Sequence, residues 1–518
     1  MALAGLRAAF LLLQTAVHRV LRSPTSFHDR TPTGGITSRL AKDVEIVDDE
    51  LAFNLNTFFN QLSGVFGTFA LIMYSYPILS AFLLPMLLLY YILTRFYRST
   101  SRQIKRIDST TRSFVISKFG EQIAGVASIR AFNQQQHFLR VFSHAVDYQN
   151  RFYYTGLILR RWLSVRTQAL GSLIVLGVSL FGVLTSNVSP AIFSVALTYT
   201  IQTTSAFGKL VLTHALVEQQ MNAWERLLHY GNLEIEADPI YPGDPEETWP
   251  SEGRVSFSNV ELRYRSNLPM ALKGVSFEVR AGEKIGIIGR TVVPKPTGAG
   301  KSSCLQALFR LVELSGTGTI TVDGFDISTI GLDTLRRSLT AIPQEPLLFS
   351  GTMRDNLDPE GICSDATLND ALKRCGLIAT EDVEHEERLC KFKLDATVAD
   401  EGKNFSCGER QMVALCRAMV KQRKVLVLDE ATSSVDPETD ARIQTTIRNE
   451  FKNTTLMCIA HRLATIAYYD RVVVLESGKV SEYGTPLALY DQRGSIFRGM
   501  CEAASLDREM IVKIRESQ

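Results

Sequence analysis

From Leu51 to Thr94 the chain runs 44 residues without a charged side chain, and Thr167 to Gly208 is a second uncharged run. No other feature restricts the fold as strongly. A helix crosses a hydrocarbon core of ~30 Å with about 20 predominantly apolar residues, so each run is long enough for two spans. The first run breaks at Ser75-Tyr76-Pro77 and the second between Thr185 and Pro190. Two hairpins follow, with spans at about 55–75, 78–97, 167–185 and 190–209. A buried helix pair in a soluble protein is the competing reading, and two uncharged runs of this length count against it.

Basic residues set the orientation. Arg95, Arg98, Arg102, Lys105 and Arg106 follow the first hairpin, Arg160, Arg161 and Arg166 precede the second, and the breaks carry no charge. The positive-inside rule then places the breaks outside or in a lumen and everything else in the cytosol. Asn187-Val188-Ser189 becomes an outer-side glycosylation sequon, weakened by Pro190 and by its closeness to the bilayer. Asn404-Phe405-Ser406 and Asn453-Thr454-Thr455 are chance matches on the cytosolic side. Residues 95–166 are polar, helical in periodicity and too long for a loop, so two spans continue into the cytosol and join through a turn. Met1 to Leu13 reads as the cytosolic end of a further span, with a signal sequence as the alternative. Residues 232–251, rich in proline (Pro239, Pro242, Pro245, Pro250) and acid, read as a linker. The halves are then a membrane domain, 1–231, and a cytosolic domain, 252–518. A net charge of +2 offers no surface for nucleic acid. All eight cysteines lie from Cys304 onward without a C-x-x-C pair, which suits reduced cytosolic thiols, with a reactive thiol at Cys407 as the alternative.

In the cytosolic half, Lys424-Val425-Leu426-Val427-Leu428-Asp429-Glu430 is an apolar strand ending in two carboxylates. Such charges need a cation, and magnesium bound to ATP supplies one. In P-loop ATPases the first acid, here Asp429, holds the ion through its water shell, while the second, Glu430, orients the attacking water. Upstream, the strand-like Lys284 to Gly289 is followed by Gly298-Ala299-Gly300-Lys301-Ser302-Ser303, opening a helix. This resembles the second half of a Walker A loop: backbone N–H groups close on phosphate oxygens, Lys301 reaches the β/γ-phosphates and Ser302 ligates magnesium. The strict spacing fails, because Lys295 stands where the first glycine belongs. Deleting Val292 to Thr297 restores it. Two readings stay open: a gene-model or splice-boundary error, or a real six-residue insertion with two prolines that lowers nucleotide affinity by misplacing N–H donors.

In this order the motifs make nearly the whole chain resemble the C-terminal half of an ABC transporter of the C subfamily, the multidrug-resistance-associated type. Ser26-Phe27-His28-Asp29-Arg30-Thr31-Pro32-Thr33-Gly34 looks like the family's first intracellular loop, with Gly35 in place of the usual arginine. Phe119-Gly120-Glu121 through Ile129-Arg130-Ala131-Phe132 is similar to its second. Both loops would carry coupling helices that rest on the ATPase domain. Trp162, in Arg161-Trp162-Leu163-Ser164-Val165-Arg166, resembles a tryptophan near the substrate path; an interfacial anchor is the alternative. Tyr264 matches the aromatic on which adenine stacks, with a strand-packing role as alternative. Gln344 matches the residue linking magnesium and water to the coupling helices. Ser406-Cys407-Gly408-Glu409-Arg410-Gln411 resembles the signature motif that holds the γ-phosphate of ATP on the partner domain, with Cys407 replacing a glycine and Glu409 a glutamine. Asp436 matches the D-loop and His461 the switch histidine.

The resemblance implies an incomplete all-α polytopic membrane domain of the type I exporter fold, followed by an α/β P-loop ATPase domain. The cofactors would be ATP and Mg2+, and the partners a second nucleotide-binding domain and transmembrane half. The activity would be ATP-driven export of organic anions, conjugates or other amphipathic small molecules across the plasma membrane, a vacuole or another endomembrane. A family half has six spans and this chain offers four and a stub, so the first span and most of the second would precede Met1. Two rivals stand beside this reading: a hydrolysis-impaired remnant or regulatory subunit, and a half-size homodimeric peptide exporter. The two hairpins exclude a soluble ATPase of the DNA-repair kind.

Overall fold

The computed structural model describes residues 2–75, 80–184, 189–289, 299–378, 391–429, 437–460 and 463–516. The chain forms two units, one comprising Met1–Arg22 and Thr31–Leu233, the other Ser23–Arg30 and Glu234–Gln518.

The first unit is built from helices. They are α1 (Ala2–Leu21), α3 (Thr33–Glu45), a π-helical turn (Ile46–Leu51), α4 (Ala52–Ser75), α5 (Ser80–Ala124), α6 (Val126–Ala131), α7 (Gln135–Leu184) and α8 (Pro190–Gly231), while α2 (Thr25–His28) belongs to the second unit. The polar stretch 95–166 is helical, carried by α5, α6 and α7. Val65 and Ile72 of α4, Tyr90 of α5, Leu170, Ile174 and Val178 of α7, and Phe207 of α8 share one apolar core. Tyr90 stacks on Phe207 at 4.4 Å, and its hydroxyl donates to the Thr167 carbonyl at 2.9 Å. Among the described residues, α7 is the one helix long and apolar enough to cross a membrane by length and composition, with a window of mean hydropathy 1.9. In α4 and α8 the uncharged runs are diluted by Asn54, Asn60, Gln61, Thr198 and Gln202. Hydroxyls buried in this unit are satisfied within their own helices, as where Thr68 donates to the Gly64 carbonyl and Thr200 to that of Ala196. A polar residue can therefore be buried there without an orphaned donor.

Near its C-terminus α8 is gripped by its neighbours. Arg226 donates to both oxygens of the buried Asp43 at 2.7 and 2.6 Å, Gln220 donates to Glu50 at 2.8 Å, and Arg19 reaches the Leu233 carbonyl at 2.9 Å. Of the stretch Met1 to Leu13, read as the stub of a span, the described residues from Ala2 on fall in α1, which packs on α8. Trp162 lies 5.7 Å from Phe96, with the Arg166 guanidinium 5.6 Å from its ring.

The second unit is α/β. Strands β1 (Val255–Leu262), β2 (Leu272–Val279), β4 (Thr319–Val322) and β5 (Phe325–Asp326) form an antiparallel sheet in the order β2-β1-β4-β5. The main sheet holds β3 (Lys284–Gly289), β6 (Leu339–Ile342), β9 (Val425–Asp429), β10 (Thr455–Ile459), β11 (Arg471–Glu476) and β12 (Lys479–Gly484), in the order β12-β11-β3-β10-β9-β6. Four of its five pairings, β11 with β3, β3 with β10, β10 with β9 and β9 with β6, are parallel, and β11 with β12 is antiparallel. Strands β9 and β10 are buried on both faces, which is why they read as continuous apolar runs and not as alternation. A short ribbon pairs β7 (Gly351–Thr352) with β8 (Thr397–Val398).

Residues 232–251, read as a linker, are instead laid along the second unit from Glu234 on. Asp244 accepts from the Gly331 N–H at 2.7 Å and the Thr334 hydroxyl at 2.6 Å, and Arg336 grips Glu236 at 2.7 and 3.0 Å. Trp249 is 6% exposed, and its indole donates to the Val322 carbonyl at 3.2 Å. Two of the acids that suggested a solvated linker, Asp244 and Glu236, are fixed by the Gly331 N–H and Thr334 hydroxyl and by Arg336, which proline-rich composition does not disclose.

Candidate functional site

Parallel pairing gathers the expected residues at one edge of the main sheet. Ile459 of β10 stands opposite Ile287 of β3 and Asp429 of β9, and Leu428 opposite Ile342 of β6. The C-terminal ends of β3, β10, β9 and β6 therefore finish together. Gly289 closes β3, Asp429 closes β9, and Gln344 lies two residues past β6. Ligands of open α/β sheets bind at this carboxyl edge. Glu430, Asp436, His461 and Gly298 lie outside the described residues, as does the insertion Val292 to Thr297.

The expected phosphate cradle is built on close approach. Helix α9 (Lys301–Leu308) begins after Gly300, whose φ of 96° is left-handed. A Cβ added at Gly300 would come within 3.0 Å of Leu272, and one at Gly289 within 2.4 Å of the Ala299 methyl and 2.7 Å of the Leu475 carbonyl. Only glycine fits at either position. Gly289 and Ala299 thus stand in contact although residues 290–298 lie between them. Ala299 is buried and accepts from the Gly478 N–H at 3.3 Å. Lys301 is half-buried, Ser302 is exposed and Ser303 is buried. Ser302, Gln344 and Asp429 offer hydroxyl, amide and carboxylate oxygens, the hard donors that magnesium takes alongside phosphate oxygens. Among the described residues no cluster of three or more His, Cys, Asp or Glu is placed to hold a metal by itself. That donor set, with the glycine-bounded cradle, fits a magnesium that arrives with its nucleotide.

Tyr264 lies against this cradle. Its ring packs on the core between the two sheets and its hydroxyl is 2.9 Å from Ser303 Oγ at the start of α9. Burial raises its pKa above the ordinary 10, and the Ser303 hydrogen bond opposes that shift.

The signature residues begin a helix, here α13 (Cys407–Lys421), after α10 (Leu332–Ser338), α11 (Met353–Leu357) and α12 (Asp365–Arg374). Ser406 is its N-cap. The Ser406 hydroxyl accepts from the Glu409 N–H at 3.2 Å while Glu409 accepts from the Ser406 N–H at 2.7 Å, a reciprocal capping box. Gly408 is buried and Cys407 half-buried, without a disulfide. Lys391 Nζ bonds both Glu409 oxygens at 2.9 and 2.7 Å. Burial would raise the Glu409 pKa, but the Lys391 and Ser406 hydrogen bonds outweigh it and hold the carboxyl below its ordinary value.

Two residues of this site escaped the sequence. Lys391 stands outside any motif. Gln411 was quoted only as part of the signature, yet it is 3% exposed and its amide donates to the Gln344 carbonyl at 2.6 Å, joining α13 to the segment after β6. A polar residue opening the apolar run Met412-Val413-Ala414-Leu415-Cys416 was the available signal. Of the thiols, Cys304 and Cys458 are pushed up to about 12 by burial, as inert core groups are.

Comparison with known proteins agrees with this geometry. Residues 1–207 match the ABC transporter transmembrane region and residues 272–433 the ABC transporter family. The chain is 43% identical to the ABC-type transporter cicA of Emericella nidulans over 99% of its own length and 37% of that protein's. It is 40% identical to the oligomycin resistance ATP-dependent permease YOR1 of Saccharomyces cerevisiae (97% and 34%), and 41% to the human ATP-binding cassette sub-family C member 3 (98% and 32%). It thus spans about a third of the length of these curated relatives. The solved structure of a bacterial Atm1-family ABC exporter with ATP bound superposes with a TM-score of 0.80 at 23% identity, over 98% of this chain and 86% of that one. The chain is therefore made of the transmembrane region and the ATPase domain of ABC transporters, in the fold of the type I exporters.

Proposed function

We propose that this chain is one membrane-plus-ATPase half of a C-subfamily, multidrug-resistance-associated exporter, moving amphipathic organic anions or conjugates outward at the expense of ATP. The observation that carries this reading is the shared carboxyl edge of β3, β6, β9 and β10, which brings the glycine-bounded cradle, Asp429 and Gln344 together. Bound magnesium supplies charge neutralisation on the phosphates. Lys301 reaches the β/γ-phosphates, Tyr264 faces the adenine, and Glu430 orients the attacking water while His461 contacts the γ-phosphate. Ser406, Gly408 and Glu409, with Asp436, complete the composite site of a second ATPase domain, so turnover requires that partner. The ATPase side is cytosolic and the membrane that of the cell surface or an internal compartment. Support for the cargo class comes from its relatives, among them a pleiotropic efflux transporter of multiple drugs and an ATP-dependent bile acid permease.

The test is ATP-dependent uptake of a fluorescent carboxylate dye into inside-out vesicles carrying the full chain with its partner half. Glu430→Gln should abolish uptake while leaving ATP bound, because its carboxylate acts in the transition state and hardly in the ground state. Uptake indifferent to ATP, or equal loss of ATP affinity and turnover, overturns the reading.

A further inference from the structure

Glu409 places a carboxylate in the first turn of α13, beside the N-terminus that is expected to receive the γ-phosphate of the partner domain's ATP. A helix N-terminus favours an anion, and a carboxylate already there both uses that field and repels a phosphate. The structure supplies a counter-charge. Lys391 chelates both Glu409 oxygens at 2.9 and 2.7 Å and lies 5.0 Å over the Phe405 ring. It is fixed there by its chain neighbour Phe392, which is 1% exposed and packs in the same core as Phe405 and Met412. The pair is not sealed in. A cavity of ≈ 290 Å³ opens onto its Glu409 side, lined in part by Phe392, Ser406, Glu409, Glu438 and Arg442. Glu438 and Arg442 carry opposite charges, so an uncompensated Glu409 would leave that lining net negative.

We propose that Lys391 is the charge-compensating, positioning residue of this signature: it neutralises Glu409 so that the α13 N-terminus still accepts phosphate although glutamate stands where glutamine is usual. The inference rests on the nucleotide reading above and deepens it. It explains how a chain can carry glutamate there without losing the site. Lys391 also turns the carboxylate toward the Ser406 N–H, where it caps the helix.

The electrostatic role predicts an order that a purely structural role does not. With Lys391→Met, an uncompensated carboxylate faces the phosphate; with Glu409→Gln, an unopposed ammonium does; in the double variant neither charge remains. The test is the Mg-ATP concentration giving a half-maximal thermal shift of the full chain with its partner half. It should rise from Glu409→Gln through wild type and the double variant to Lys391→Met, the extremes differing by about tenfold at low salt. The spread should shrink as NaCl is raised and shortens the Debye length. Without nucleotide, Glu409→Gln should melt lower than wild type, having lost its charged cap, even as it binds ATP more tightly. If Glu409→Gln and Lys391→Met both weaken the ATP response, in step with their melting temperatures, the pair is structural and the inference falls. If wild type responds to ATP and all variants match it, the inference falls alone. If wild type shows no ATP response, the nucleotide reading falls and takes this inference with it.

Discussion

Glu409 caps a helix and carries a depressed pKa, which makes its stabilising role dependent on pH. Burial acts to raise that pKa, and the bonds from Lys391 and Ser406 lower it below the ordinary 4.5. A carboxyl whose folded pKa is depressed stabilises fully above its unfolded value and loses that contribution as pH falls through the folded one. Wild type should exceed Glu409→Gln by about 1 kcal/mol at pH 7, discounted for partial exposure, and the two should converge below pH 4.5. Chemical denaturation at both pH values checks this. Tyr264 separates two roles in the same way. Tyr264→Phe removes the bond to Ser303 and should cost about 1 kcal/mol of stability while leaving ATP affinity unchanged. Tyr264→Ala should also weaken ATP binding about tenfold, because the aromatic face goes with it. Calorimetry with ATP reads both, and equal affinity of the three forms would leave Tyr264 a packing residue.

At the scale of elements, Gln411 ties the signature helix to the segment after β6 through the Gln344 carbonyl. Gln411→Ala should leave ATP affinity unaltered and lower kcat about tenfold, since it disturbs the placement of Gln344 and not the cradle. Steady-state kinetics that instead raise KM alone would contradict this. The Walker A region offers a complementary test. Deleting Val292 to Thr297 should tighten ATP by about tenfold, equivalent to ~1.4 kcal/mol, if the longer loop adds conformations to be frozen. Equal affinity of the two forms would show that the contact between Gly289 and Ala299 already closes the cradle. The strands of this site were legible because burial on both faces leaves an unbroken apolar run, and the cradle because only glycine fits where backbones touch. Lys391 was not, since a salt bridge across 18 residues leaves no periodic trace. The packing of Asp244 and Trp249 escaped because proline and acid look alike in a linker and in a segment pinned to N–H donors.

For the whole molecule, the orientation read from Arg95 to Arg106 is open to labelling. In a background without the native cysteines, a cysteine at Ser186 should react with an impermeant reagent from outside and one at Ser109 only after permeabilisation. Reaction of both from outside would remove the four-span arrangement. The boundary between the units also has a shape that matters beyond this chain. The second unit contains Ser23–Arg30 as well as everything after Leu233, and Thr25 of α2 donates to the Leu311 carbonyl at 2.9 Å. No single cut in the gene releases this ATPase unit whole. A recombination event that exchanged everything after residue 233 between relatives would leave the recipient's own 23–30 segment seated on a foreign surface, so these eight residues and the surface around Leu311 should be inherited together.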